Sequence, residues 1–93
     1  MIRSFLSREA VGIFEPEPSR RLPPDIQKPA YRKLLMLDAA TSLQDLRVPW
    51  GNRLEPLHGD RDGQYSIRIN KRWRICFRWE AGNAFDVEIV DYH

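Results

Sequence analysis

The sequence predicts an α+β fold in which two N-terminal helices pack on a three- to four-stranded, mainly antiparallel sheet. Three observations lead there. Helical spacing of apolar residues is confined to the first half, prolines punctuate that half, and the second half alternates apolar and polar residues through consecutive runs. At 93 residues the chain is shorter than a typical domain of about 100–200, so residues 1–93 read as one domain. With 42% apolar and 30% charged residues it can build a core, which excludes disorder along its full length.

The elements follow in chain order. Met1–Leu6 alternates loosely, as a short edge strand does. Ser7 is placed to cap a first helix with Ala10, Val11 and Phe14 as its apolar face. Pro16 and Pro18 end it, since proline lacks the N–H and restricts the residue before it, so 15–24 reads as a loop. A second helix runs from Pro24 to about Ala40, with Ile26, Ala30, Leu34, Leu37 and Asp38 near helical spacing. Pro29 falls inside it at a cost of about 3 kcal/mol, which predicts a kink or a late start. Thr41–Gly51 has no sustained period, and Pro49 and Gly51 mark a loop feeding a strand near Asn52–Leu57.

The remaining chain reads as a meander. Tyr65, Ile67 and Ile69 alternate with polar residues, and Asn70-Lys71-Arg72 turns into Trp73, Ile75, Phe77 and Trp79. A second turn at Glu80-Ala81-Gly82-Asn83 leads to Phe85, Val87 and Ile89. This apolar parity, Tyr65 and Phe85 included, needs cover, and the two amphipathic N-terminal segments supply it. The other parity carries Arg68, Arg74, Cys76 and Arg78, then Asp86, Glu88 and Val90.

Several function classes drop out. The longest apolar run is Leu34–Leu37, against about 20 residues needed to cross a bilayer, and no apolar stretch follows Met1-Ile2-Arg3, so neither a membrane span nor a signal peptide is expected. A lone Cys76 makes no intrachain disulfide, and no second Cys or paired His offers a structural zinc site, so neither metal nor cofactor is expected. A reducing, cytoplasmic compartment fits. The net charge of +2 says little about partners, but its distribution says more. Arg68, Lys71, Arg72, Arg74 and Arg78 lie between Gln64 and Trp79 with no acid among them, whereas Glu80–His93 holds Glu80, Asp86, Glu88 and Asp91 with no Lys or Arg.

The arginines carry the chemistry, because a guanidinium stays charged and grips phosphate through two parallel hydrogen bonds. The alternative is cross-strand pairing of Arg74 and Arg78 with Asp86 and Glu88, each pair giving roughly 0.2–1 kcal/mol. His58 lies in a glycine-bounded loop, where a histidine is ordinarily only solvated, and His93 ends the chain. Held beside the arginines, Asp91, Tyr92 and His93 would bring together a carboxylate, a phenol and an imidazole that titrates near neutral pH. Tyr92 could also stack on a nucleobase.

Several blocks in order resemble one family: Arg32-Lys33-Leu34 with Leu37-Asp38-Ala39-Ala40, Gly51–Glu55, Gly59–Gln64, Tyr65–Asn70, Trp73–Phe77 and Val87–His93. The chain resembles the HigB toxins of the RelE-like superfamily. The resemblance implies the RelE-like microbial RNase fold and a metal-independent, ribosome-dependent endonuclease that cuts mRNA codons in the decoding site. It also implies a HigA antitoxin with a helix-turn-helix domain, through which alone DNA would be contacted. By resemblance Asp91, Tyr92, His93 and Arg74 are active-site residues. Glu55 and His58 stand where the well-studied type has a His and a Lys, which makes His58 a further candidate. Arg68, Lys71 and Arg61 are the expected substrate-binding residues.

The expected mechanism is attack of the RNA 2′-hydroxyl on the adjacent phosphate, leaving a 2′,3′-cyclic phosphate. Arg74 and Arg68 would stabilise phosphorane charge, His93 or His58 would move a proton, Tyr92 would orient the base and Asp91 a neighbouring side chain. Two alternatives remain open here: a same-fold toxin that inhibits DNA gyrase by binding, as ParE-like proteins do, and a catalytically impaired relative.

Overall fold

The computed structural model describes residues 1–14 and 22–91. Helix α1 spans Arg8–Phe14 and α2 Pro24–Ala39, followed by strands β1 Glu55–Pro56, β2 Gln64–Arg68, β3 Trp73–Glu80 and β4 Asn83–Asp91. The strands form one antiparallel sheet in sequence order, with the helices on one face, as an α+β sequence of this pattern requires. Three 3-10 turns, Leu43–Arg47, Trp50–Asn52 and Gly59–Arg61, occupy the connections.

Ser7 caps α1, its Oγ accepting from the Ala10 amide at 3.3 Å. The buried residues of α1 are Ala10 and Ile13, not Val11, and Phe14 packs on Phe5 with ring centroids 5.6 Å apart. Helix α2 starts at Pro24 and runs unbroken through Pro29, contrary to a late start. The bond that Pro29 forfeits would have gone to the carbonyl of Asp25, an exposed residue in the first turn of the helix. Ile26, Ala30, Leu34 and Leu37 are buried on its inner face. They meet Ile67, Ile75, Phe77, Ala84 and Val87 from the sheet, and removing this apolar surface from water is the main drive for the fold. Pro16 and Pro18 lie outside the described residues.

The N-terminal segment does extend the sheet edge, but through two isolated parallel bridges to β4, Ile2 to Ala84 and Phe5 to Val87. Its backbone bonds to Ala84 and Val87 run 2.8–3.1 Å. Asp38 in α2 accepts from the Ile2 amide at 2.8 Å and ties this edge to the helix layer.

Two expectations need correction. The strand foreseen at Asn52–Leu57 shrinks to Glu55–Pro56, because Trp50–Asn52 turns and Arg53 holds a left-handed φ of 44°, which extended pairing cannot use. Phe85 also leaves the apolar parity. Between Cys76 and Arg78 the β3–β4 register shifts, with Asp86 at φ 53° supplying the extra residue of a bulge. Ser4 stabilises it, its Oγ accepting from the Asp86 amide at 2.8 Å. On the turn side of the bulge the two-residue hairpin pairs Phe85 with Arg78 on the polar face and buried Ala84 with Trp79, and beyond it the extra residue returns Val87 and Ile89 to the inner face. The hairpin turn itself is as expected: Ala81 and Gly82 both have positive φ, 50° and 79°, as a two-residue turn matched to strand twist requires.

Candidate active site on the polar sheet face

The strand register decides which side chains share the face away from the helices. Arg68 on β2 lies directly opposite Arg74 on β3, and Ser66 opposite Cys76. Like charges opposed across a ladder destabilise it, so this pair runs against folding. Arg74 is nonetheless held firmly, with its side chain 12% exposed. Its Nε donates to Ser66 Oγ at 2.9 Å and its Nη2 to the Arg53 carbonyl at 2.7 Å, while Glu55 Oε1 stands 3.9 Å away. Arg68 donates from Nε to the Asn70 carbonyl at 2.9 Å and makes no ion pair among the described residues.

Asn70 builds the turn beneath them. Its Oδ1 accepts from the amides of Arg72 and Trp73 at 2.9 and 2.8 Å, closing the β2–β3 connection with Lys71 exposed at its tip. Asp91 reaches the same end of the sheet, opposite Trp73. It takes a two-pronged contact from Arg72, Nε and Nη2 each donating at 2.7 Å, and this raises the Arg72 pKa through the hydrogen bonds first and the charge of Asp91 second. The Arg72 guanidinium also lies 5.8 Å from the Trp73 ring centre. Sequence reasoning missed Arg72 as a site residue, although counting back along a two-residue hairpin brings it near the strand end.

Two further cations are neutralised locally. Arg78 joins Glu80 at 2.7 Å and Asp86 at 3.3 Å, so the cross-strand pairing considered for it is what forms, and its pKa is raised by the Glu80 hydrogen bond foremost. Four residues along β3 from Arg74, about 13 Å, it does not converge with Arg68 and Arg74 as the face alone suggested. Glu88 is taken by Arg61, which reaches over from the Gly59–Arg61 turn and also donates to Gln64 at 3.1 Å. His58 is exposed where that turn begins. Cys76 is buried. Tyr92 and His93 follow Asp91 and lie outside the described residues.

A buried polar side chain absent from the sequence reading fixes the loop behind Arg74. Asn52, fully buried, donates from Nδ2 to the carbonyls of Leu46 at 3.2 Å and Val48 at 3.5 Å, and its Oδ1 accepts from Lys33 Nζ of α2. Desolvation, then the neighbouring Arg32 charge, lowers the Lys33 pKa. Asn52 faces the helix layer while the next residue offers its carbonyl to Arg74, so one dipeptide joins the core to the site. The loop also shapes an open groove of about 660 Å³ lined by Arg47, Val48, Trp50, Arg53, Leu54 and Glu55. Among the described residues no group of three or more His, Cys, Asp or Glu is placed to hold a metal, and no helix is long and apolar enough to cross a membrane.

Residues 4–93 match the family of HigB-like toxins, described as the RelE-like toxin of the type II toxin-antitoxin system HigB. The chain is 46% identical over 67 residues to Toxin HigB-1 of Vibrio cholerae, covering 72% of this chain and 70% of that one. It is 32% identical over 93 residues, the full length of both, to Endoribonuclease HigB of Proteus vulgaris. Among solved structures, the YoeB-YefM toxin-antitoxin complex of Staphylococcus aureus contains a chain that superposes with TM-score 0.61 at 17% identity, covering 100% of this chain and 98% of that one. YafQ from E. coli gives 0.58 at 13% identity, covering 98% and 93%. At those identities the structures speak for the fold.

Proposed function

The chain belongs to the HigB-like toxin family of type II toxin-antitoxin systems, and from that premise we propose that it is an endoribonuclease cutting mRNA on the translating ribosome. The reading is supported by the full-length relative named an endoribonuclease and, above all, by the opposed Arg68 and Arg74, a like-charged pair kept in place by bonds that orient one guanidinium. A substrate phosphate held between the two guanidiniums would offset their mutual repulsion.

The RNA 2′-oxygen attacks the adjacent phosphorus and the 5′-oxygen leaves, giving a 2′,3′-cyclic phosphate and a 5′-hydroxyl. No protein nucleophile is needed. Arg74, with Arg68 across the ladder, meets the negative charge that grows on the non-bridging oxygens. His93 transfers a proton at the leaving oxygen or the 2′-hydroxyl, with His58 as the second imidazole, and Tyr92 orients the base. Asp91 acts through Arg72, fixing a guanidinium beside the strand end. Lys71 contributes charge from the turn, and Arg61, which is ion-paired with Glu88, is a further substrate-binding residue in this reading. The reaction draws on no metal or other cofactor.

Alignment of the mRNA is the ribosome's part in this reading, since proximity and orientation supply much of such a barrier reduction. A helix-turn-helix antitoxin of the HigA kind is the proposed partner, and DNA is met only through it. In a translating extract, His93→Ala should slow mRNA cleavage about 10²–10⁴-fold without unfolding the domain. Wild-type cutting by that variant would reject the assignment, and gyrase inhibition with intact mRNA would replace the reading altogether.

A further inference from the structure

We propose that Trp50 and its groove form a stacking site for an unpaired base of the mRNA substrate, next to the bond that is cut. The inference rests on the endoribonuclease reading and adds to it a substrate-positioning surface.

Trp50 is 90% exposed and Val48 73%, which puts the largest side-chain type of the chain almost wholly in water. Its backbone is not loose. The Trp50 carbonyl accepts from Arg53 at 3.1 Å, the Pro49 carbonyl accepts from Asn52 at 3.0 Å, and buried Asn52 clamps the carbonyls of Leu46 and Val48. A ring displayed on a fixed frame loses little freedom when something covers it.

The lining names the occupant. Arg47 and Arg53 line the groove together with the ring, two arginines against one carboxylate, Glu55, a balance that suits a base with its phosphate. Glu55 can accept from an exocyclic amine of the stacked base. The volume of about 660 Å³ is in the small-ligand range of roughly 300–1,000 Å³. Position favours RNA over a protein segment: the Arg53 carbonyl receives Arg74 Nη2 at 2.7 Å, and Glu55 stands 3.9 Å from the same nitrogen. The groove therefore opens beside the guanidinium proposed to meet the scissile phosphate, where a continuous strand must place a neighbouring nucleotide.

The test uses the full chain with Trp50→Ala and Trp50→Phe. An exposed ring contributes little to the core, so both should melt as the wild type does. In a ribosome-containing cleavage reaction Trp50→Ala should lose about ten-fold or more in rate and Trp50→Phe should recover most of it, because any aromatic face can stack. A single-stranded 2′-O-methyl oligoribonucleotide, which cannot be cut, should quench wild-type tryptophan fluorescence and lose that effect, together with affinity, in Trp50→Ala. If the wild type cuts no mRNA yet this quenching is seen, the endoribonuclease reading falls while the stacking site stands. Equal cleavage and equal oligonucleotide binding by Trp50→Ala overturns the site. So does loss of antitoxin binding alone, which would make the groove a protein interface. Photo-crosslinking of Trp50 to 4-thiouridine-containing mRNA supports the assignment, and crosslinking to ribosomal RNA only overturns it.

Discussion

The two ends of the polar sheet face are built on opposite electrostatic rules. At the β3–β4 hairpin end Arg78 sits between Glu80 and Asp86, and charge is cancelled locally. At the β2–β3 turn Arg68 faces Arg74 across the ladder, with Lys71 exposed beside them. Exposed pairs of the first kind contribute little to stability and screen with salt. The second arrangement sets two like charges against each other across the ladder, with Glu55 3.9 Å from Arg74 Nη2. The difference teaches that the count of cations in a block says less than which of them the fold neutralises.

The sharpest way to break this comparison is to truncate one arginine from each end. Arg74→Ala should reduce mRNA cleavage about 10²–10³-fold, as loss of a charge-stabilising donor does, while Arg78→Ala leaves the rate nearly unchanged. Equal losses in a translating extract would mean that the two ends do not differ in function. Arg74→Lys should rescue poorly, because an ammonium cannot hold Ser66 and the Arg53 carbonyl in the same fork.

The second effect is on stability. Asn52→Ala leaves Lys33 and two loop carbonyls without their partner, and should cost about 1–3 kcal/mol. For a domain this size each kcal/mol lowers Tm by roughly 4–8 °C, which a calorimetric scan resolves. Because Asn52 also frames Arg53, cleavage should fall more than the folded fraction does, which would tie the working end of the face to the core beneath it.

How much of this was legible in the sequence follows from how local each cause is. Ser7 as a cap, Pro24 at a helix start and the Ala81-Gly82 turn all act within a few residues, and all three are where the pattern put them. That Arg68 and Arg74 share the polar face was legible too, since both fall on the parity opposite the apolar one, whereas their direct opposition and the separation of Arg78 came only with the register. Phe85 was not, because the bulge that puts it out of phase with Val87 and Ile89 is held by Ser4, 82 residues from Asp86. Glu88 was not either, because its partner Arg61 comes from the Gly59–Arg61 turn, 27 residues away, and not from a neighbouring strand. Asn52 and Trp50 were illegible for a related reason: their roles depend on Lys33, Leu46 and Arg74, which no spacing rule connects to them.

A smaller effect concerns the pair at the strand end. Asp91→Asn and Arg72→Ala should each lower cleavage by less than Arg74→Ala, and the double variant should be no worse than either alone. Additive losses in that cycle would show that Asp91 acts independently of Arg72. Melting temperatures should move little in Arg72→Ala, since the Arg72 side of the contact is mostly exposed.

The smallest effect is on the acid side of the pH profile. Asp45 closes the start of the loop that carries Trp50 and Arg53, accepting from the Thr41 amide at 2.9 Å, the Ser42 amide at 3.2 Å and Thr41 Oγ1 at 3.2 Å. These bonds, the Thr41 amide first, hold its carboxyl below the usual range. A carboxyl whose folded pKa is depressed adds stability that is fully present above its unfolded value, and that stability fades as pH falls toward the lower folded value. Asp45→Asn should therefore lose a little stability at neutral pH, and the gap to wild type should narrow as both are melted at progressively lower pH. A gap that stays constant with pH would mean that the Asp45 charge plays no part in closing the loop, and that the frame beneath Arg74 depends on Asn52.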